Sequence, residues 1–370
     1  MAEEKITRRT SLKYAGGAAL AAVVGAVAGY AYGTSAPAPA AQPGLVKTVT
    51  ETQTVGSTQI TTMTATNAYG SPKYKIDLLG YCLGVEFCIP MWNSLPDAVS
   101  LFPGLQVSWL GPSECDPKGM LDIAATIKDV RKPDATASYL DTPDMQKFCS
   151  EWIDAGIPSM SYLVDDNPPH PSKRLAYVGT AQYDAAYGTG TVFVNQYLKP
   201  KGITSGKAVI FIHRPGAPDL EDRVKGFTQA LIDGGFKATD ITKAAAGPEA
   251  AQSNDMAAAY LKAHSDVVVA AGVDGNTSPA VGESIDALGL HGKVLGMGFD
   301  LIPRSLTQVQ KGNLLALANQ QPYLIIPVLV MDLYMHLVSG KILMPFDANT
   351  GRGVVTADNV GQYTAKSKFY

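Results

Sequence analysis

From residue 74 onward, short β-branched and apolar runs alternate with stretches of helical periodicity, the pattern of βαβ units around parallel sheets. The first half predicts strands at 74–82, 105–110, 135–139 and 159–163, with helices at 90–101, 118–130 and 145–155 between them. The pattern then restarts, with strands at 207–212, 237–241, 266–271 and 294–299 and helices at 220–234, 250–263 and 279–288. Two such halves in succession predict two doubly wound, Rossmann-like α/β lobes with a central cleft that closes by hinge motion.

Residues ahead of 74 break this rhythm. Thr7-Arg8-Arg9-Thr10-Ser11-Leu12-Lys13 resembles a twin-arginine export signal, with Ser11 where Phe is usual. Residues 14–33 form an uncharged Ala/Gly/Val run long enough to cross a bilayer as a helix, so 1–33 reads as an export signal that is either cleaved or, the preferred reading, retained as an anchor. Lys5, Arg8, Arg9 and Lys13 precede the run, which places the bulk of the chain outside the cell, on the outer face of the cytoplasmic membrane (cell surface or periplasm). Residues 34–72 are Ala/Pro-rich and then Thr-rich, with few large apolar side chains, and read as a disordered stalk.

Composition narrows the partners. The chain of 370 residues carries a net charge of −3, which offers no basic footprint for nucleic acid. Cys82, Cys88, Cys115 and Cys149 show no Cys-x-x-Cys spacing, so they read as one disulfide or as buried thiols, not as a metal or redox centre. The five histidines are scattered and no Gly-x-Ser-x-Gly elbow occurs, so no catalytic residue, metal site or cofactor is expected.

What stands out chemically is where the acids fall. Three predicted strands run out into them: Asp165 and Asp166, Asp274, and Asp300. Open α/β sheets bind ligands at the carboxyl ends of their strands, and a carboxylate accepts hydrogen bonds from hydroxyl groups without reacting. A monomeric binder of hydroxyl-rich small molecules is the reading. The plain alternative for Asp300 is a cap on a helix at 303–310, and for Asp165 or Asp166 a solvated loop. Phe87 offers an apolar face for a ring, Trp92 belongs more naturally to the core, and Arg214, ending the strand at 209–212, faces the cleft as a donor or a salt-bridge partner.

Ala155-Gly156-Ile157-Pro158 leading to Val164-Asp165-Asp166 resembles the sugar-binding proteins of ABC transporters with the type I periplasmic-binding-protein fold, as does the run from Ser172 to Gly179. So do Arg223-Val224-Lys225-Gly226-Phe227, Gly298-Phe299-Asp300 with Gln320-Gln321-Pro322-Tyr323, and the run from Gly353 to Val360, in the same order. The resemblance implies three crossovers between lobes, with 74–177 plus 321–347 in the N-terminal lobe and 178–320 plus 348–370 in the other. It places Asp300 and Gln320 where relatives hydrogen-bond sugar hydroxyls, Asp274 or Asn276 near a ligand-binding Asn, and Glu86 and Phe87 at the mouth of the first helix. The ligand-contacting acid and Arg of ribose binders are replaced by Leu163 and Val164, and a ligand-contacting Arg by Glu221, so ribose is not implied. The implied function is capture of a sugar or polyol for an ABC permease. A sensor presenting its ligand to a membrane receptor is the alternative.

Overall fold

Strand pairing divides the chain into two sheets at the places where its apolar periodicity restarts. The computed structural model describes residues 46–55, 58–67, 73–81, 83–114, 116–166, 169–342, 347–351 and 353–364. The export signal at 1–33 and the Ala/Pro-rich residues up to 45 lie outside them, as do Cys82 and Cys115.

The first sheet gathers β1 (Val46–Val55), β2 (Thr58–Asn67), β3 (Tyr74–Leu79), β4 (Leu105–Pro112), β5 (Ala135–Ser138), β6 (Ser159–Tyr162), β7 (Tyr177–Gly179) and β13 (Ala348–Asn349), in the order β1-β2-β4-β3-β5-β6-β7-β13. Between its strands run α1 (Ile89–Ser100), α2 (Pro117–Thr126) and α3 (Pro143–Asp154). The second sheet has the order β14-β12-β11-β10-β8-β9, from β8 (Lys207–Ile212), β9 (Ile241–Ala245), β10 (Val267–Gly272), β11 (Leu295–Phe299), β12 (Leu314–Asn319) and β14 (Gly353–Val355). Its helices are α4 (Gln182–Phe193), α5 (Pro218–Asp233), α6 (Ala250–Ala263), α7 (Thr277–Ala287) and α8 (Pro303–Gln310). α9 (Pro322–Ser339) returns to the first lobe and packs on α1.

Alternation explains the double cover. In β8, Ala208, Ile210 and Ile212 face one apolar cluster while Val209 and Phe211 face another, so both sides of the second sheet are buried under helices. The approach is close enough to demand glycine: a Cβ on Gly272 would lie 2.3 Å from the Ser278 nitrogen, and one on Gly226 would lie 2.5 Å from the Tyr183 carbonyl oxygen. α9 is long and apolar enough to cross a membrane, but Ile325, Ile326, Leu329, Val330 and Leu333 are buried in the first lobe's core.

Among the described residues the chain passes between sheets three times: at 180–181 after β7, at 320–321 after β12, and from 350 on after β13. β7 and β13 both pair within the first sheet, in parallel, so the first and third passages lie two to three residues beyond the expected boundaries at 177/178 and 347/348.

The stalk reading is corrected for residues 46–67. They form a hairpin whose second strand pairs antiparallel with β4. Thr61 and Thr64 hydroxyls bond Ser113 (2.7 Å) and Ser108 (3.0 Å), and the Asn67 amide donates to the Val99 and Ser100 carbonyls at the end of α1. The segment is too poor in large apolar residues to fold by itself, but β-branched Thr and Val suit a strand. It borrows an existing core through Ala65, Val46, Ile60 and Met63. A second correction is small: the strand expected at 237–241 begins at Ile241, because a 3-10 turn at Ala238–Asp240 takes up the preceding residues.

Candidate functional site

In a doubly wound sheet the crevice opens where strand order reverses, at the carboxyl ends of the two strands flanking the reversal. In the first sheet those strands are β3 and β5, which run out into Tyr81 and Asp141; in the second they are β8 and β10, which run out into His213, Arg214 and Asp274. The two reversals meet. Arg214 Nη1 lies 3.4 Å from Asp141 Oδ2, and its guanidinium lies over the Tyr81 ring at 5.7 Å, which ties one lobe to the other. Burial pushes the Asp141 carboxyl above its usual range, against the pull of Arg214. Between α2, α3 and this arginine lies a cavity of 160 Å³ lined by Tyr81, Met120, Asp141, Met145 and others.

Asp300 and Gln320 come together. Gln320 Nε2 donates to Asp300 Oδ1 at 2.6 Å, and both side chains are almost fully buried. Asp300 does not cap α8; the residue at that position is Ile302. Behind the pair stands Arg223, buried, with Nη1 3.8 Å from Asp300 Oδ2 and its guanidinium 4.2 Å from the Phe299 ring centre. Arg223 is itself fixed by donating to Gln182 Oε1 (2.8 Å) and to the Val273 carbonyl (2.9 Å). Burial raises the Asp300 pKa, while Arg223 and Gln320 pull it down and the charges of Asp274 and Asp219 push it up again. Asp300 and Gln321 hold positive φ (68° and 50°), as does Leu163 (62°) just after β6. Non-glycine residues in this region cost on the order of 1–3 kcal/mol each and persist where surrounding contacts impose them.

Asp274 and Asn276 are less open than the sequence suggests. Asp274 Oδ1 accepts from the backbone of Asn276 and Thr277 (2.9 Å each), and Oδ2 accepts from the Thr277 hydroxyl (2.8 Å) with His213 Nδ1 at 3.0 Å. Although burial acts to raise it, His213 and these donors hold its carboxyl below the usual range. The Asn276 amide donates to the Pro248 carbonyl at 2.8 Å. This pair shapes the turn into α7.

Asp165 and Asp166 belong to an ion network. Arg174 reaches Asp165 (2.6 Å), Asp166 (3.2 Å) and Asp347 (2.9 Å), while Ser161 donates to Asp165 and the Ser172 amide to Asp166. Burial pushes Asp165 up to about 6; in Asp166 the same effect is outweighed by Ser172, His170 and Arg174, and its pKa is lowered. The Tyr177 amide also donates to Asp347, so the network staples β7 to the segment entering β13. Beside it lies a 360 Å³ cavity between the lobes, lined by Asp165, Tyr177, Thr180, Gln182, Asp219 and Asp347 among others.

Glu86 is exposed on a 3-10 turn, Phe87 packs half-buried on the first lobe's core, and Trp92 packs at a tilt against Trp109 and donates to the Leu83 carbonyl. Cys88 and Cys149 are both buried, and burial pushes the Cys88 thiol up to about 12 and the Cys149 thiol up to about 11. Sequence reasoning missed Tyr81, Asp141, Asp219 and Arg223. Asp141 carried the same signal as the chosen acids, two residues beyond its predicted strand, and Arg223 stood inside a quoted motif.

The model of the periplasmic binding protein domain family matches residues 76–342. The xylose/arabinose-binding protein XylF of Sulfolobus acidocaldarius is 25% identical over 311 residues, covering 80% of this chain and 75% of that one. Among solved structures, an ABC transporter solute-binding protein from Burkholderia graminis in complex with D-arabinose aligns with a TM-score of 0.69 at 21% identity, covering 80% of this chain and 99% of its own. GanP, a glucose-galactose binding protein from Geobacillus stearothermophilus, aligns at 0.67 and 22%, covering 77% and 98%. With the matched span taking in the central strands of both sheets and the crevice between them, the chain belongs to the periplasmic binding protein domain family.

Proposed function

We propose that the chain captures a sugar, a pentose such as xylose or arabinose being the first candidate, in the crevice between its lobes and delivers it to an ABC permease. In this reading it is held at the outer face of the cytoplasmic membrane by residues 14–33. The observation that carries the binding step is a pair of buried, unspent polar atoms. Gln320 Oε1 and Arg214 Nε have no hydrogen-bond partner among the described residues, although both atoms are removed from solvent. Such groups are costly unless something satisfies them, and a hydroxyl-rich ligand supplies a donor to one and an acceptor to the other. The named sugars of XylF and of the Burkholderia complex supply the pentose class.

The test is isothermal titration of the purified chain with D-xylose, L-arabinose, D-arabinose, D-glucose and myo-inositol. A pentose is expected to bind without turnover, and Gln320→Ala to weaken it roughly tenfold or more, as loss of a charge-assisted or buried hydrogen bond does. Gln320→Ala binding as tightly as the parent chain would remove this site.

A further inference from the structure

The strand that the sequence disguises as stalk leaves a free sheet edge. β1 ends the order of the first sheet and, among the described residues, pairs only with β2. Its ladder with β2 runs without a bulge from Val46 to Val55, and the strand contains neither proline nor glycine. It therefore lacks the bulge and proline that commonly blunt an edge strand. Its side chains at Lys47, Thr48 and 51–54 are exposed. The hinge strands β7 and β13 lie at the opposite edge of the sheet.

We propose that β1 is a homodimer interface, pairing antiparallel with β1 of a second copy about a two-fold axis perpendicular to the sheet. Symmetry restricts the register. Paired residues of an antiparallel ladder share a face, and a two-fold perpendicular to the sheet keeps each residue on the same face as its own symmetry mate. Only registers centred on one residue meet both conditions. Among these, centring on Val49 sets Lys47 opposite Glu51 of the second copy, and Glu51 opposite its Lys47. Val49 then meets Val49, and Thr48 meets Thr50. Lys47, Val49 and Glu51 share one face by strand alternation. Their neighbours on β2 are Thr66, Thr64 and Thr62, which carry no charge, and among the described residues neither Lys47 nor Glu51 has an ion-pair partner. The two charges are thus unspent within one chain and complementary between two. Centring on Lys47 or Glu51 would oppose like charges, which disfavours those registers. The sequence reading of a monomer took 34–72 as stalk; the hairpin supplies the surface that reading lacked.

The experiment uses the full chain in detergent micelles, with association read by sedimentation velocity and by disulfide trapping under mild oxidation. Lys47→Glu and Glu51→Lys are each expected to raise the dimer dissociation constant by roughly five- to thirtyfold, two opposed pairs per dimer being affected, and the double exchange Lys47→Glu/Glu51→Lys to restore it. Val49→Cys should trap a covalent dimer, because directly opposite Cβ atoms approach to about 4.5–5.5 Å. Gln53→Cys should not, and the unsubstituted chain sets the background. A chain that stays monomeric and is not trapped at 49 overturns the proposal. So does association indifferent to the charge exchanges, or trapping at 53 as readily as at 49, because either outcome places the contact elsewhere.

Discussion

Two arginine-centred clusters, one within the first lobe and one joining the two lobes, are finished to different degrees. Arg174 is surrounded by Asp165, Asp166 and Asp347, with Ser161, Ser172 and Tyr177 donating to the same acids. Arg214 has one acid at 3.4 Å, an aromatic face, and a buried Nε with no partner among the described residues. Asp300 and Gln320 resemble the second cluster, since Gln320 Oε1 is also unspent. In the proposed reading the difference separates a staple from a receptor. A network whose polar atoms are satisfied stabilises the closing of β7 on β13, whereas one with buried open valences holds its surplus for a guest.

The sharpest way to break this comparison is Arg174→Ala. It leaves three acids without their cation, and removing one partner of a buried network costs about 3–5 kcal/mol. Chemical denaturation should show that loss, while the affinity of the remaining folded protein for its sugar changes little. A variant of unchanged stability with weakened binding would move Arg174 into the receptor.

A smaller effect concerns pH. Asp165 is raised in the folded state to about 6, from an unfolded value near the ordinary range of about 4. The folded form therefore binds the proton more tightly, so this group's contribution is fully present below pH ~4 and is lost as pH rises through 6, by at most about 3 kcal/mol. Asp166, with its lowered pKa, acts in the opposite sense and at lower pH: its contribution holds above the ordinary carboxylate range and is lost as pH falls through its folded pKa. Asp165→Asn should flatten the stability profile between pH 4 and 6 in denaturant titrations. A profile unchanged by the substitution would show that Asp165 does not titrate in that window.

Smaller still is the expected effect of Arg214→Ala on stability, because its ion pair is partly exposed and pairs of that kind contribute about 0–1 kcal/mol. Its effect on affinity should be larger than its effect on stability, about tenfold or more by titration calorimetry. That ordering is the reverse of the one expected for Arg174, and finding both residues ordered alike would dissolve the distinction between the clusters.

Much of the fold was legible in the chain itself. Short continuous apolar runs and period-3.6 patterns located most strands and helices to within a few residues, because helices on both faces bury nearly every residue of a central strand while each helix buries one face. Acids at strand ends pointed to the crevice. What the pattern could not tell was which acids were already spoken for. Asp165, Asp166 and Asp274 read like Asp300, yet Arg174 is nine residues from Asp165 in sequence and Asp347 lies 173 residues beyond Arg174.

The amino-acid sequence by itself determined two α/β halves, their order and the chemistry available at the strand ends, since these depend on local propensity and hydrophobic period. Only the tertiary structure decided that Asp141 meets Arg214, that Asp300 is oriented by Gln320 and Arg223, and that a Thr-rich segment becomes a paired strand. Each of those outcomes joins groups far apart in the chain, and the free energy that selects them comes from partners that no local window contains.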